Sequence, residues 1–350
     1  MPQTLHLALP EGENYGWGLC GKYLKKELAK LAQVSHLAEG QKGRVDGTLF
    51  YALEGNNLKP WTQARGEKNI GYVFFENELV AESKQHAQAS DLIFGGSSWC
   101  CERLKEAGIA HCDVLIQGVD GELFYPEKNR APKDKFVIFS GGKFEFRKGQ
   151  DLVLKAFSIL QRKYPEMELL TVWENQWEYS LRTMQASPLI QFELKGQTWK
   201  DQLEYICRIN SVDVSRVKIL PLTPQSQMRD IIAGTHLGVF PNRCEGGTNL
   251  VLMEYMACGK PSVISYTSGH KDIANEKNAL LLKNLKPIEI CDSQGKQMIR
   301  WEEITLEELI AAIEYAYHHR DETAQLGQQA AEDMKQWTWE IMAKRILTFC

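Results

Sequence analysis

The chain has 350 residues, of which 43 % are apolar and 25 % charged. That balance belongs to a protein that buries a large core, and the length suggests about two domains. The net charge is −4; residues 1–130 carry 14 basic and 17 acidic side chains and the remainder 27 and 28, so neither half is basic and general nucleic-acid binding through phosphate neutralisation is disfavoured.

The opening stretch, MPQTLHLALPEGENYGWG, lacks a basic start and a long apolar segment, and it reads as a first strand and loop instead of a signal peptide. No run of about 18 apolar residues suggests a membrane-spanning helix. The nine cysteines are irregularly spaced and include no CxxC pair, which indicates neither a zinc site nor a disulfide framework. A reducing cytosol is the simplest compartment for such a chain.

Short apolar runs alternate with longer helical patterns, the signature of parallel sheets covered by helices. In the first half, strands are expected at residues 5–9, 47–53, 72–75, 91–94 and 113–117. Helices are expected at 19–32 and 98–107, the second capped by Ser97 or Ser98 and followed by Gly108. The stretch YPEKNRAPKDK, residues 125–135, holds two prolines, is rich in charge and lacks apolar periodicity, so it reads as an interdomain linker. The alternation restarts with strands at 136–140, 168–173, 217–220, 237–240 and 261–265. Helices at 150–164, 225–234 and 250–258 accompany them, and the tail is helical over 306–317 and 321–347. The resulting organisation is a domain over 1–128, a domain over 129–335 and a terminal segment, 336–350, crossing back to the first. Two doubly wound domains place a ligand between the carboxyl ends of their sheets.

One segment carries more information than the rest: VFPNRCEGGTNLVLMEYMACGKPSV, residues 239–263. A strand ends at Phe240, a loop with Glu245, Gly246 and Gly247 follows, and a helix opens near Thr248, Asn249 and Leu250. Glycines let backbone approach a ligand. A helix start presents free N–H groups and a positive dipole end, which suits a diphosphate. Thr248 or Asn249 is placed to cap the helix, and the Glu254 carboxylate is suited to a sugar or ribose diol. Earlier, Gly142 and Lys143 follow the strand at 136–140, and Lys148 precedes Gly149 at the next helix start. Taken singly, a glutamate beside a glycine pair or a lysine at a helix start is ordinarily solvated, and Arg147 reads as solvated or structural. The complete pattern is what points to a site.

The pattern resembles the donor-binding motif of retaining glycosyltransferases of family 4, the large group 1 glycosyltransferases, down to the turn Ala257-Cys258-Gly259-Lys260-Pro261. The resemblance implies an α/β fold of the GT-B type, two doubly wound Rossmann-like domains facing across a cleft. It implies that Glu245 contacts the transferred sugar and Glu254 the ribose. The amides of Gly246, Gly247, Thr248, Asn249 and Leu250, with Gly142, Lys143 and Lys148, would hold the diphosphate. The eight residues between the two glutamates are one more than the family's usual spacing. A UDP-sugar is the first candidate donor and a GDP-sugar the second, with no divalent metal, in keeping with the lack of an Asp-x-Asp motif. The resemblance also implies retention of anomeric configuration and a glycan, lipid-linked, protein or small-molecule acceptor.

The resemblance implies that the first half supplies the acceptor side. Asn14, Tyr15, Gly16 and Trp17 lie in a loop that resembles the family's cleft-facing first loop, although Trp17 equally suits the core. Glu76, in Phe74-Phe75-Glu76, matches a position where some members carry Phe-Glu; it suits orientation of an acceptor hydroxyl or stabilisation of positive charge on the sugar, and equally a cap or salt bridge. The Gly95–Trp99 and Gln117–Asp120 stretches resemble structural turns of the family. Lys22, Lys26 and Lys30 recur along one helix face, which reads as a solvated face before a membrane-binding one. A cytoplasmic location, with at most peripheral contact at the inner membrane face, follows. His270 suits a structural contact better than catalysis, and Trp173 and Trp177 suit packing. Two rivals share the pattern: a donor-binding but inactive subunit that regulates a partner, and a nucleotide-sugar epimerase of the same fold.

Overall fold

A computed structural model describes residues 4–127, 130–291, 295 and 297–350. The expected domain junction at 128/129 lies outside the described residues. Two parallel sheets organise the chain. The first runs, edge to edge, Val34–His36, Leu5–Ala8, Thr48–Glu54, Lys68–Val73, Leu92–Gly95 and Cys112–Val114, with Lys59–Pro60 added antiparallel to Thr48–Glu54. The second runs Val217–Ile219, Met167–Val172, Phe136–Gly141, Leu237–Phe240, Ser262–Ser265 and Leu280–Leu282.

Both sheets are covered on two faces, and the pleat shows why their strands are nearly all apolar. Successive side chains on a strand point to opposite faces. Phe136 and Ile138 enter one core of the second lobe, while Val137 and Phe139 enter the other. Phe50 and Ala52 likewise face one core of the first lobe, and Leu49, Tyr51 and Leu53 face the other. A strand buried on both sides reads as a continuous apolar run, which is what the segments at 47–53 and 136–140 present.

Helix Ser98–Glu106 is capped by Ser97, whose Oγ accepts from the Cys100 amide at 3.2 Å. The tail is two helices, Arg320–Met334 and Trp339–Leu347, where one continuous pattern was expected over 321–347; Thr338 caps the second, its Oγ accepting from the Ile341 amide at 3.2 Å. The last helix crosses back to the first lobe, where Trp339, Met342, Ala343 and Ile346 join its core. No helix among the described residues is long and apolar enough to cross a membrane. Lys22, Lys26 and Lys30 each lie within ion-pair distance of a carboxylate, Glu13, Glu122 and Glu27 respectively. That helix face is therefore charge-balanced.

Several described elements are absent from the sequence reading, among them a helix and a hairpin of the second lobe. Helix Trp199–Ile209 begins in a capping box, with Thr198 and Asp201 bonded reciprocally to each other's backbone amides. The antiparallel hairpin Leu285–Cys291 with Gln297–Ile304 projects from the second lobe and meets the first: Ile299 bridges Asn77, and the Glu78 amide donates to the Met298 carbonyl at 2.9 Å.

Candidate active site

The carboxyl ends of both sheets open into one cavity of about 520 Å³ between the lobes. The first lobe contributes Asn14, Tyr15, Gly16, Trp17, Phe74, Glu76 and Gln117 to its wall. The second contributes Gly142, Lys143, Arg147, Lys148, Glu174, Trp177, Gln225, Glu245, Gly247, Asn249, Leu250 and Glu254. Residues separated by more than 200 positions are thus gathered around one space.

Gly246 and Thr248 stand apart from that wall. The Gly246 carbonyl accepts from Ser97 Oγ at 2.8 Å and Cys100 Sγ at 2.9 Å, and its amide faces Glu76 Oε1 at 3.3 Å. A β-carbon on Gly246 would lie 2.4 Å from the Phe75 carbonyl oxygen. The close approach this glycine permits is therefore to the backbone of the other lobe. Thr248 is buried, with its hydroxyl 2.9 Å from Met253 Sδ. Neither Thr248 nor Asn249 caps the helix by its side chain, as the sequence had suggested. Asn249 occupies the cap position in a left-handed conformation, φ +65°, and its amide faces His270 Nε2 at 3.4 Å. Asparagine tolerates that conformation better than most residues, and the side chain is turned away from the helix start.

Electrostatics are concentrated around Glu245. Its Oε1 accepts from Lys148 Nζ at 2.6 Å and from Asn242 Nδ2, and its Oε2 lies 3.1 Å from Arg147 Nη1. Burial alone would raise its pKa, but the Lys148 and Arg147 charges outweigh that and hold it at about 2. Arg147 also reaches Glu76 Oε1 at 3.4 Å and Glu145 Oε1 at 2.6 Å. One guanidinium therefore joins carboxylates from both lobes. Glu145, buried, would be raised by desolvation, yet Arg147, Lys143 and Lys148 keep it below the usual range. Lys143 lies 4.9 Å from the Trp177 ring centroid and 3.8 Å from Glu145, on the same wall as Lys148 but with different partners.

Glu254 is the opposite case. Burial pushes its pKa up to about 7, and the Gln225 amide, donating at 2.5 Å, pulls it back only in part. His270 lies beneath the loop, with Nδ1 3.1 Å from the Ser265 carbonyl, and burial lowers its pKa to about 4. It does not line the cavity. Trp173 is buried and donates to Ser140 Oγ at 3.1 Å, whereas Trp177 lines the cavity and meets Tyr15 edge-on across the cleft, 6.2 Å between centroids. Trp17 has both expected surroundings: it lines the cavity and packs edge-on against Tyr72 and Phe74.

This geometry meets what is known of other proteins mainly in the second half of the chain. The family model described as "Glycosyl transferases group 1" matches residues 122–333, well over half of the chain. The chain belongs to this family. A relative from Corynebacterium glutamicum, described as a GDP-mannose-dependent monoacylated alpha-(1-6)-phosphatidylinositol monomannoside mannosyltransferase, is 23 % identical over 262 residues, which is 71 % of this chain and 59 % of that protein. The chain thus spans less than two thirds of that relative's length. Among solved structures, sucrose-phosphate synthase from Thermosynechococcus elongatus superposes with a TM-score of 0.70 at 14 % identity, covering 99 % of this chain and 98 % of that one. Anabaena HepE in complex with UDP and glucose superposes at 0.66 and 14 % identity, covering 99 % of both chains. These likenesses show the fold: this group 1 member has the GT-B architecture, two Rossmann-like lobes facing across a cleft.

Proposed function

We propose that the chain moves a sugar from a nucleoside diphosphate donor to an acceptor hydroxyl with retention of anomeric configuration. The observation that carries this reading is the convergence of Lys143, Lys148, Glu245, Glu254 and, at the helix start, Gly247, Asn249 and Leu250 on one interlobe cavity. The diphosphate is assigned to the helix start and the two lysines, with Gly142 beside it. Helix dipole and ammonium groups together stabilise the charge that appears as the sugar–phosphate bond breaks, so no divalent metal is required. Glu245, ionised through its cationic neighbours, accepts hydrogen bonds from sugar hydroxyls. Glu254 takes the ribose diol, and Glu76, Tyr15, Gly16 and Trp17 face the acceptor. Departure and attack occur on the same face, and the leaving phosphate takes the acceptor proton.

Retention is supported by membership of the group 1 family and by the resemblance of the Glu245–Pro261 segment to its retaining members. The named relatives point to both candidate bases, since one is GDP-mannose-dependent and another was solved with UDP. The acceptor is a glycan, lipid-linked, protein or small-molecule hydroxyl. The site is proposed to work at the cytoplasmic side, with at most peripheral contact with a membrane.

The experiment is a panel of UDP- and GDP-sugars, incubated with and without acceptors in EDTA, with product anomers read by NMR. Transfer with retention is expected, and Lys148→Ala should lower kcat about 10²-fold or more, the usual effect of losing one such stabilising group. Nucleotide binding without turnover on any acceptor would favour an inactive regulatory subunit. An isomerised nucleotide sugar formed without acceptor would favour an epimerase.

A further inference from the structure

Glu254 owes its position to two side chains outside the donor-binding motif. Its Oε1 accepts a hydrogen bond from Gln225 Nε2 at 2.5 Å, and Gln225 Oε1 in turn accepts from the Tyr23 hydroxyl at 2.7 Å. Gln225 opens helix Gln225–Ala233 of the second lobe. Tyr23 belongs to helix Gly16–Leu31 of the first lobe, and its ring stacks on Trp339 of the crossing helix, 5.2 Å between centroids with 7° between planes. Three side chains therefore form one directed chain from the first lobe, through the second, to a buried carboxylate on the cavity wall.

We propose that Gln225 and Tyr23 are positioning residues for the nucleotide ribose, fixing the Glu254 carboxylate so that the first lobe sets how tightly the ribose is held. The inference rests on the reading of Glu254 as the ribose ligand. The physical reason lies in the primary amide. A glutamine presents donors on one side and an acceptor on the other, so it supports Glu254 only in one orientation. With its N–H toward Glu254 it steadies an ionised carboxylate; rotated by half a turn it would set carbonyl against carboxylate. An ionised Glu254 disfavours the second orientation by repelling the amide oxygen, and the Tyr23 hydroxyl reinforces the first by donating to that oxygen. Burial and the Asp120 and Glu254 carboxylates push the Tyr23 pKa up, so the hydroxyl remains a donor. With Oε1 occupied by Gln225, Oε2 is left to accept from the ribose.

The test uses UDP, GDP and their 2′-deoxy counterparts as probes, with Kd measured by calorimetry on the full chain. The wild-type protein should bind its preferred ribonucleotide at least about tenfold more tightly than the deoxy form, the value of one hydrogen bond to a charged group. Glu254→Gln should remove most of that preference. Tyr23→Phe and Gln225→Met should each reduce it to about threefold or less, by the same reckoning, while affinity for the deoxy nucleotide stays unchanged, because the diphosphate contacts are untouched. The double variant should do no more than Gln225→Met alone, since the two act in series. A merely structural role would weaken both nucleotides equally. Tyr23→Phe and Gln225→Met proteins that keep the wild-type ribo-to-deoxy ratio would overturn the inference while leaving Glu254 on the ribose. A wild-type protein that binds diphosphates without distinguishing ribose from deoxyribose would instead overturn the placement of Glu254.

Discussion

Glu245 and Glu254 lie nine positions apart and both are buried, yet their ionisation is driven in opposite directions. Glu245 has Lys148 and Arg147 against it and is held at about 2; Glu254 has an uncharged amide and rises to about 7. The consequence for stability has opposite signs. Glu245 stabilises the fold fully above the ordinary carboxylate value and loses that contribution as pH falls toward 2. Glu254 favours the protonated form, so its contribution is present below the ordinary value and is lost as pH rises through 7. Glu254→Gln, which cannot ionise, should therefore match the wild type at pH 4.5 and exceed it by up to about 3 kcal/mol at pH 8, read by chemical denaturation at both values. An unchanged difference across that range would mean that Glu254 titrates normally. Both glutamates are legible in the sequence because they flank a glycine loop and a helix start. Arg147 is not, because F-R-K-G does not say where the side chain turns. A 3-10 turn at Phe146–Lys148 and the 2.8 Å bond from the Arg243 amide to the Arg147 carbonyl aim it at Glu245.

Between the strand Leu237–Phe240 and the helix Leu250–Ala257, the loop is held by a buried arginine. Arg243 donates to both carboxylate oxygens of Asp151 at 2.8 Å and through Nε to Glu303 at 2.7 Å, and its carbonyl accepts from the Glu302 amide. It thereby ties the loop to helix Gln150–Lys163 and to the hairpin. Removing one partner of a buried pair leaves the other charge desolvated and unpaired. Arg243→Met should therefore cost about 3–5 kcal/mol of stability, measured by denaturant unfolding; a cost under about 1 kcal/mol, the range of surface pairs, would show that Asp151 finds water or another partner. The hairpin at 285–304 was missed because its two strands pair with each other and then with the other lobe, and local spacing does not encode a partner 220 residues away. The helix at 199–209 did carry a local signal, Thr198-x-x-Asp201.

At the scale of the whole molecule, the two lobes are joined by tight backbone contacts as well as by the chain itself. A β-carbon on Gly118 would lie 2.1 Å from the Trp339 amide nitrogen, and the Val119 amide donates to the Trp337 carbonyl at 2.8 Å. The Gln117–Asp120 turn is thus the seat of the crossing helix. Gly118→Ala should displace that helix, destabilise the protein by about 1–3 kcal/mol, the usual cost of overpacking, and raise hydrogen exchange over residues 339–347. Because Trp339 stacks on Tyr23, nucleotide affinity should fall with it. Unchanged exchange in that segment would show that the seat yields without moving the helix.

The sequence by itself determined the α/β class, most strands and helices, and the loop between Glu245 and Glu254, because apolar periodicity and glycine placement act over a few residues. Strand ends and helix starts also define the cleft, so many site residues follow from local pattern. Only the tertiary structure decided how each carboxylate is charged and what holds it. Desolvation and Coulomb interaction depend on neighbours brought together from anywhere in the chain, as Tyr23 and Gln225 are from 202 positions apart. It also decided that Gly246 serves the contact between lobes, since the backbone it must clear belongs to Phe75.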